Sequence, residues 1–303
     1  MTLVPSGEQF EIACGAHRAT IVEVGGGIRS YEVDSRPVLD PYDLHEMCDG
    51  AHGEPLVPWP NRLADGQYRF AGNEYQVALT EPARRNAIHG LLRWWLWRAR
   101  EHEPDRVVVG TRLYPLQGYP FALDVAIAYE LTDAGLQVRT SVTNIGDHAC
   151  PFGSGHHPYL SPGTGPLDDC ELRFEAQTRI VTDERQIPSG REPVAATRLD
   201  FKDGRRIGAL EIDDAFTGLA RDGAGRATVT LTGPDGVAVE LWADASYEVI
   251  QLYTGHTLEP GRRRLGLAAE PMTCPANALQ SGEGLIRIEP GETVASVWGV
   301  GMR

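Results

Sequence analysis

The sequence predicts an all-β protein, a large antiparallel β-sandwich, and three observations carry that prediction. Apolar residues recur with a period of two in many short segments. Turn residues, drawn from 34 glycines and 21 prolines, punctuate those segments along the whole chain. No amphipathic helical pattern exceeds about three turns, the mean helix length in globular proteins.

The elements follow in chain order. Tyr68 and Phe70 alternate ahead of Gly72-Asn73, and Tyr75 and Val77 alternate after it. Leu123 to Leu131 sets Val125, Ile127, Tyr129 and Leu131 on one face; Thr132-Asp133-Ala134-Gly135 then turns the chain, and Leu136, Val138, Thr140 and Val142 alternate on the way back. Val229 and Leu231, the turn Gly233-Pro234-Asp235-Gly236, and Val237, Val239 and Leu241 form a third such unit. Tyr247 to Tyr253 and Leu285 to Ile288 read as strands, and Thr293 to Val300 closes the chain in the same way. Strands joined by short Gly-containing turns pair antiparallel, and many of them in succession build a sandwich. No low-complexity linker or fixed-period repeat divides the chain, so residues 1–303 read as one domain.

A chain of 303 residues buries a sizeable core without staples. Its net charge of −14 repels phosphate backbones, which argues against a nucleic-acid partner. The five cysteines, Cys14, Cys48, Cys150, Cys170 and Cys274, are odd in number and form no C-x-x-C pair. Reduced thiols in a cytoplasm fit them better than a disulfide framework. The first ten residues lack a basic segment followed by an apolar run, and no stretch approaches the ~18 apolar residues of a spanning helix, so no membrane association is expected.

Chemistry concentrates at a few positions. His89 lies in Asn86-Ala87-Ile88-His89-Gly90, ahead of Trp94, Trp95 and Trp97. His157 lies in Gly153-Ser154-Gly155-His156-His157-Pro158-Tyr159. Glycine and proline around a histidine give a tight backbone that aims the side chain, although most loop histidines are simply hydrogen-bonded. Asp213 follows Ile212 in Asp213-Asp214-Ala215-Phe216, and Glu270 sits in Leu267-Ala268-Ala269-Glu270-Pro271. A carboxylate in apolar company is either paired or shifted to a higher pKa, and both states suit a general acid or base as well as a structural pair. Asn61-Arg62 lies beside Trp59 and two prolines, where an arginine fork suits a hydroxyl-rich ligand; a surface salt bridge is the commoner fate of such a residue.

Other chemistries lack their motifs. There is no phosphate-binding G-x-x-x-x-G-K-[ST] loop, and Gly25-Gly26-Gly27 opens no helical pattern. No G-x-S-x-G elbow surrounds Ser154, and His45-Glu46 has no second histidine at i+4. His156 and His157 are adjacent, so in a strand they point to opposite faces and do not share a metal.

Together these pieces resemble the aldose 1-epimerases, or galactose mutarotases, over nearly the whole chain and in order. Asn61-Arg62 with Asp65-Gly66 resembles the family's N-R-x-x-x-G segment, and Asn86-Ala87-Ile88-His89-Gly90 its N-x-x-H-G motif. Gly118-Tyr119-Pro120-Phe121 and the strand pair ending in Thr143-Asn144 resemble its G-Y-P segment and T-N strand end. His157-Pro158-Tyr159 is similar to H-P/S-Y-F, Asp213-Asp214-Ala215-Phe216 to D-x-x-F, and Leu252-Tyr253-Thr254-Gly255 to a Y-T-G strand. Glu270-Pro271-Met272 stands where the family has its closing glutamate, with a departure from the commoner glutamate-threonine-glutamine form. Pro158-Tyr159 selects His157 over His156, and the spacing to Phe216 favours Asp213 over Asp214.

The resemblance implies a galactose mutarotase-like supersandwich, a monosaccharide substrate, and interconversion of α and β anomers without cofactor or metal. It implies Glu270 as the base on the anomeric hydroxyl and His157 as the acid on the ring oxygen, with His89 beside the reacting centre. Arg62, Asn61 and Asp213 would bind sugar hydroxyls, and Trp59 would cover an apolar sugar face. Read from the residues alone, Arg84-Arg85 and Arg262-Arg263-Arg264 could meet a phosphorylated or sulfonated hexose, although solvated surface charge is the commoner fate of such runs. The rival readings are a glycoside hydrolase using Asp213 and Glu270, and a sandwich that binds sugar without turning it over.

Overall fold

The structure, a computed structural model, describes residues 3–161, 163 and 165–303. Two antiparallel sheets carry most of the strands among these residues, one 12-stranded and one 9-stranded. The smaller sheet contains the hairpin Leu123–Thr132 with Gly135–Asn144, paired from Leu123↔Asn144 to Thr132↔Gly135. Its alternation has a direct cause. Val125, Ile127, Tyr129 and Leu131 are buried against the other sheet, while Asp124, Ala126, Ala128 and Glu130 are half-exposed on the outer face. Full burial of each such aliphatic side chain contributes about 1.5–3 kcal/mol, and a one-residue slip would turn the whole set outward.

The other hairpins form near the expected positions. Gln67–Phe70 pairs with Asn73–Gln76. Its turn is Ala71-Gly72, with φ 48 and 82, one residue ahead of the expected Gly72-Asn73. Left-handed φ at both central residues is what a two-residue turn between twisted strands requires. Ala227–Thr232 pairs with Ala238–Ala243. The strand expected at 247–253 is shorter, Val249–Tyr253. Tyr247 instead closes the preceding turn, its N–H on the Asp244 carbonyl and its hydroxyl accepting from Ser296. Among the described residues the single α-helical segment is Ala278–Ser281, and no helix is long and apolar enough to cross a membrane.

The larger sheet builds the platform for the polar residues. Leu267–Met272 lies between Tyr159–Leu160 and Val249–Tyr253, and Asp213–Leu219 follows. The register pairs Gly155 with Met272, Tyr159 with Ala268, Gln251 with Glu270, and Asp213 with Tyr253. With a period of two, Leu267, Ala269, Ile250 and Leu252 face the core between the sheets. Ala268, Glu270, Gln251, Tyr253 and Tyr159 then face the other way. The same arithmetic sets His157 across from Glu270 and sends His156 into the core.

Candidate active site

The six residues singled out by sequence come together. Asn61, Arg62, His89, His157, Asp213 and Glu270 all line one cavity of about 460 Å³, a volume in the range typical of small-molecule sites. Arg84, Arg93, Tyr159, Gln186, Tyr253 and His256 complete much of its wall. Trp59 does not take part. It is buried in the hydrophobic core, and the aromatic rings at the cavity are Tyr159 and Tyr253.

Local backbone chemistry aims the first pair. Asn61 and His89 both adopt left-handed φ, 54 and 62, a region in which asparagine and histidine are enriched among non-glycine residues. The His89 N–H donates to the Asn61 carbonyl at 2.9 Å, and the Asn61 N–H donates to His89 Nδ1 at 3.2 Å. That second bond fixes the tautomer: Nδ1 accepts, so the neutral ring carries its proton on Nε2 as a donor. Gly90 follows with φ 71, and a Cβ there would lie 2.1 Å from the Val57 carbonyl oxygen. Gly90→Ala is therefore expected to cost more than about 1–3 kcal/mol, the scale of a strained left-handed residue alone. Thermal unfolding checks this, and an unchanged Tm would contradict the close approach.

Arg62 and Asp213 are already partly engaged. Arg62 Nε and Nη2 fork onto Glu81 at 2.9 and 3.0 Å, while Nη1 lies 3.4 Å from Asn61 Oδ1. Against burial, which raises it, the bonds from Arg62 and Asn86 hold the Glu81 carboxyl below its ordinary range. Asp213 accepts from Gln251 at 2.7 Å and also from Gln186. Asp214, its neighbour, turns away and pairs with Arg179 at 2.6 Å. Asp213 lines the cavity and Asp214 does not.

The centre of the site is His157 and Glu270. His157 Nε2 lies 3.3 Å from Glu270 Oε1, and the two side chains are only 6% and 3% exposed. Glu270 Oε2 and His157 Nδ1 are buried without hydrogen-bond partners among the described residues. Burial, reinforced by Asp213, pushes the Glu270 carboxyl well above its ordinary range, with Arg62 opposing. Burial, then the charge of His52 and Arg93, pushes His157 well below its ordinary value. Burial, then His157, lowers His89 in the same way.

His89, His157 and Glu270 could each present one ligand atom to a metal, and those atoms lie within 4.8 Å of one another. The donor set does not suit an ion, however. His89 Nδ1 is taken by the Asn61 amide and Nε2 bears the proton, so only His157 and Glu270 offer free lone pairs. A fixed donor, an imidazole and a carboxylate are instead the parts needed to move protons.

His156 is a core residue. Its Nε2 meets the Thr140 hydroxyl at 2.7 Å, its ring packs on Trp298, and burial lowers its pKa to about 3. Because the unfolded value is ~6.5, the unfolded chain binds the extra proton first. Stability from neutral His156 is thus complete above about pH 6.5 and is lost as pH falls toward 3. His156→Leu is expected to flatten that acid dependence and to keep catalytic turnover. Loss of turnover in a folded variant would show that the wrong histidine of the pair had been assigned.

The arginines weighed as partners of an anionic sugar mostly form ion pairs elsewhere. Arg262 pairs with Asp40, Arg264 with Asp168, and Arg85 with Asp65, and none of them lines the cavity. Arg84 does line it, bonded to Gln186 at 2.6 Å and Glu81 at 3.3 Å. Sequence reasoning passed over Gln251, Tyr159 and Arg93. Gln251 left a signal, a lone polar residue in the buried run Val249–Tyr253. Tyr159 left another, since a residue two places from His157 in extended chain shares its face. Arg93, which reaches the cavity wall paired with Glu54, left none.

Comparison with known proteins bears on the family and the fold. Residues 8–299 match the family described as aldose 1-epimerase. The chain is 36% identical over 289 residues to the uncharacterised Escherichia coli protein YihR, spanning 95% of this chain and 91% of that one. It is 28% identical over 226 residues to human galactose mutarotase, covering 68% of this chain and 64% of that one. Among solved structures, an aldose epimerase homologue from C. elegans superposes with a TM-score of 0.86 at 18% identity, covering 98% of each chain. A putative aldose 1-epimerase from E. coli superposes at 0.83 and 22% identity, covering 98% of this chain and 99% of that one. With its motifs, its fold and this match over nearly its full length, the chain belongs to the aldose 1-epimerase family.

Proposed function

We propose that this protein is a mutarotase that interconverts the α and β anomers of a free hexose by opening and reclosing the pyranose ring. The observation that carries this reading is the 3.3 Å contact between His157 and Glu270, buried on the wall of a hexose-sized cavity. Ring opening needs one proton taken from the anomeric hydroxyl and one given to the ring oxygen. The Glu270 carboxylate takes the first. As the C1–O1 double bond forms, the C1–O5 bond breaks and its electron pair moves to O5, which takes a proton from the His157 imidazolium. Rotation about C1–C2 and the reverse transfers close the ring on its other face. No net oxidation occurs.

The electrostatics favour these roles. Burial makes Glu270 a stronger base than a carboxylate in water, and it makes protonated His157 a stronger acid than free imidazolium. The neutral pair, with the proton on Glu270, holds the same number of protons, and one transfer across their contact interchanges the two states. The same pair therefore serves both directions of the reaction. His89, donating from Nε2, and the Arg62 guanidinium supply hydrogen bonds to sugar oxygens.

A neutral hexose is the class this lining suits. Arg62 and Arg84 are offset by Glu81 and Asp213, and Arg93 is offset by Glu54. The hydrolase reading is weaker, because Glu270 meets an imidazole and Asp213 is tied to two glutamines. Polarimetry on freshly dissolved α-hexoses, beside a product assay on glycosides, tests the proposal. Accelerated mutarotation with no glycoside cleavage is expected. Sugar binding without acceleration would leave a silent binding protein, and cleavage would make it a hydrolase.

A further inference from the structure

His157 lacks the support that a working histidine usually has. Such a ring is normally oriented by a hydrogen bond on its second nitrogen, yet Nδ1 here is buried without a partner among the described residues. Something other than a hydrogen bond must stop the ring from turning its Nε2 away from Glu270.

A stack of rings stands in that place. Tyr159 lies against His157 with centroids 5.0 Å apart and planes 21° from parallel. On its other side His52 stacks at 3.7 Å and 6°. The far end is pinned. His52 Nδ1 donates to the Asp49 carbonyl at 2.8 Å, and Nε2 lies 3.0 Å from Asp40 Oδ2 and 3.1 Å from Arg262. The Tyr159 hydroxyl donates to the Gly50 carbonyl at 2.8 Å, which ties the middle ring to the same loop. His89 meets His157 in an edge-to-face contact, with centroids 5.4 Å apart and planes at 81°. All four rings are buried.

We infer that Tyr159 is a positioning residue that holds the His157 imidazole in its proton-transfer orientation by stacking, with His52 as its backing. The inference rests on the mutarotase reading for its kinetic consequence only. Without the Tyr159 ring, His157 loses its stacking partner and has no hydrogen bond at Nδ1 to restore its angle.

Two variants separate ring from hydroxyl. Tyr159→Phe keeps the stack and loses only the bond to Gly50; it is expected to lose less kcat than Tyr159→Leu and to keep a rigid His157 ring. Tyr159→Leu is expected to lower kcat by about 10- to 100-fold with KM nearly unchanged, the scale of an ångström-sized misplacement of a catalytic group. Histidine labelled with ¹³C at Cε1 gives the independent readout, the His157 signal being identified by its loss in His157→Asn. Relaxation of that signal is expected to report a rigid ring in the parent and in Tyr159→Phe, and a mobile ring in Tyr159→Leu.

Equal losses in both variants, a rise in KM with kcat retained, or a rigid His157 ring in Tyr159→Leu would each overturn the proposal. A mobile His157 ring in the parent protein would overturn it with no variant at all, so a Tyr159→Leu chain that fails to fold does not shield it. If the parent shows no mutarotation of any hexose, the functional reading fails, and the ring measurements still decide the stack.

Discussion

Glu270→Gln is expected to lower kcat/KM for mutarotation by about 10²–10⁴-fold, the usual contribution of one positioned acid–base group, while sugar binding measured by calorimetry persists. The amide fills the same space but neither takes the anomeric proton nor returns it. The substitution also has a stability signature of opposite sign. Burial and Asp213 raise the folded-state pKa of Glu270 above the unfolded value of ~4.3, so the folded protein binds this proton more tightly. The stability that comes with the protonated side chain is complete below about pH 4.3 and is lost as pH rises through the raised folded value. Glu270→Gln removes that loss. Its Tm should exceed the parent's at pH 8 and approach it at pH 4. On the proposed mechanism, a buried carboxylate whose Oε2 has no hydrogen-bond partner among the described residues serves catalysis at a cost in stability. Full activity in the variant would remove Glu270 from the mechanism.

His157→Asn is expected to show a kinetic loss of similar size, about 10²–10⁴-fold, together with a change in the shape of the pH profile. On the proposed mechanism the pair works while it holds one proton. The acid limb reflects His157, shifted below ~6.5, and the alkaline limb reflects Glu270, shifted above ~4.3. These directions pull the limbs apart and widen the working range. With His157 gone, the residual rate depends on the Glu270 carboxylate alone, so the bell should become a single limb rising with pH. A bell that survives the substitution would mean that another group supplies the acid.

Much of the fold was legible because burial alternates with the pleat. Val125, Ile127, Tyr129 and Leu131 announce their strand because one face meets the core and the other meets solvent. Leu267–Met272 hides its alternation, since all six residues are buried, those on one face against the core between the sheets and those on the other beside Glu270. There the sequence shows only a glutamate in apolar company. The turn at Ala71-Gly72 was displaced by one residue because glycine and asparagine both tolerate left-handed φ, and the sequence alone does not choose between the two placements. The candidate residues themselves were legible through motifs. Their second layer was not. The Glu81 clamp on Arg62, the Glu54 pairing of Arg93 and the His52 backing of Tyr159 join residues far apart in the chain, and no local pattern records such pairings.

Assignment of Trp59 to the sugar site failed for a related reason. Prolines and an aromatic ring beside Arg62 resemble a ligand clamp, but the chain turns at left-handed Asn61 and sends the two side chains apart. Trp59 enters the core and Arg62 the cavity. The arginine runs carry a different lesson. Charged pairs such as Arg264 with Asp168 form wherever opposite charges meet at the surface, and they carry little information about ligands.

The most direct test is saturation-transfer NMR on equilibrated hexose anomers with the unmodified protein. Saturating the α H1 resonance should deplete the β H1 resonance at a rate proportional to protein concentration, with no new sugar species formed. Ligand broadening that shows binding, without transfer for any neutral or anionic hexose, would contradict the claim that His157 and Glu270 pass protons across a bound ring.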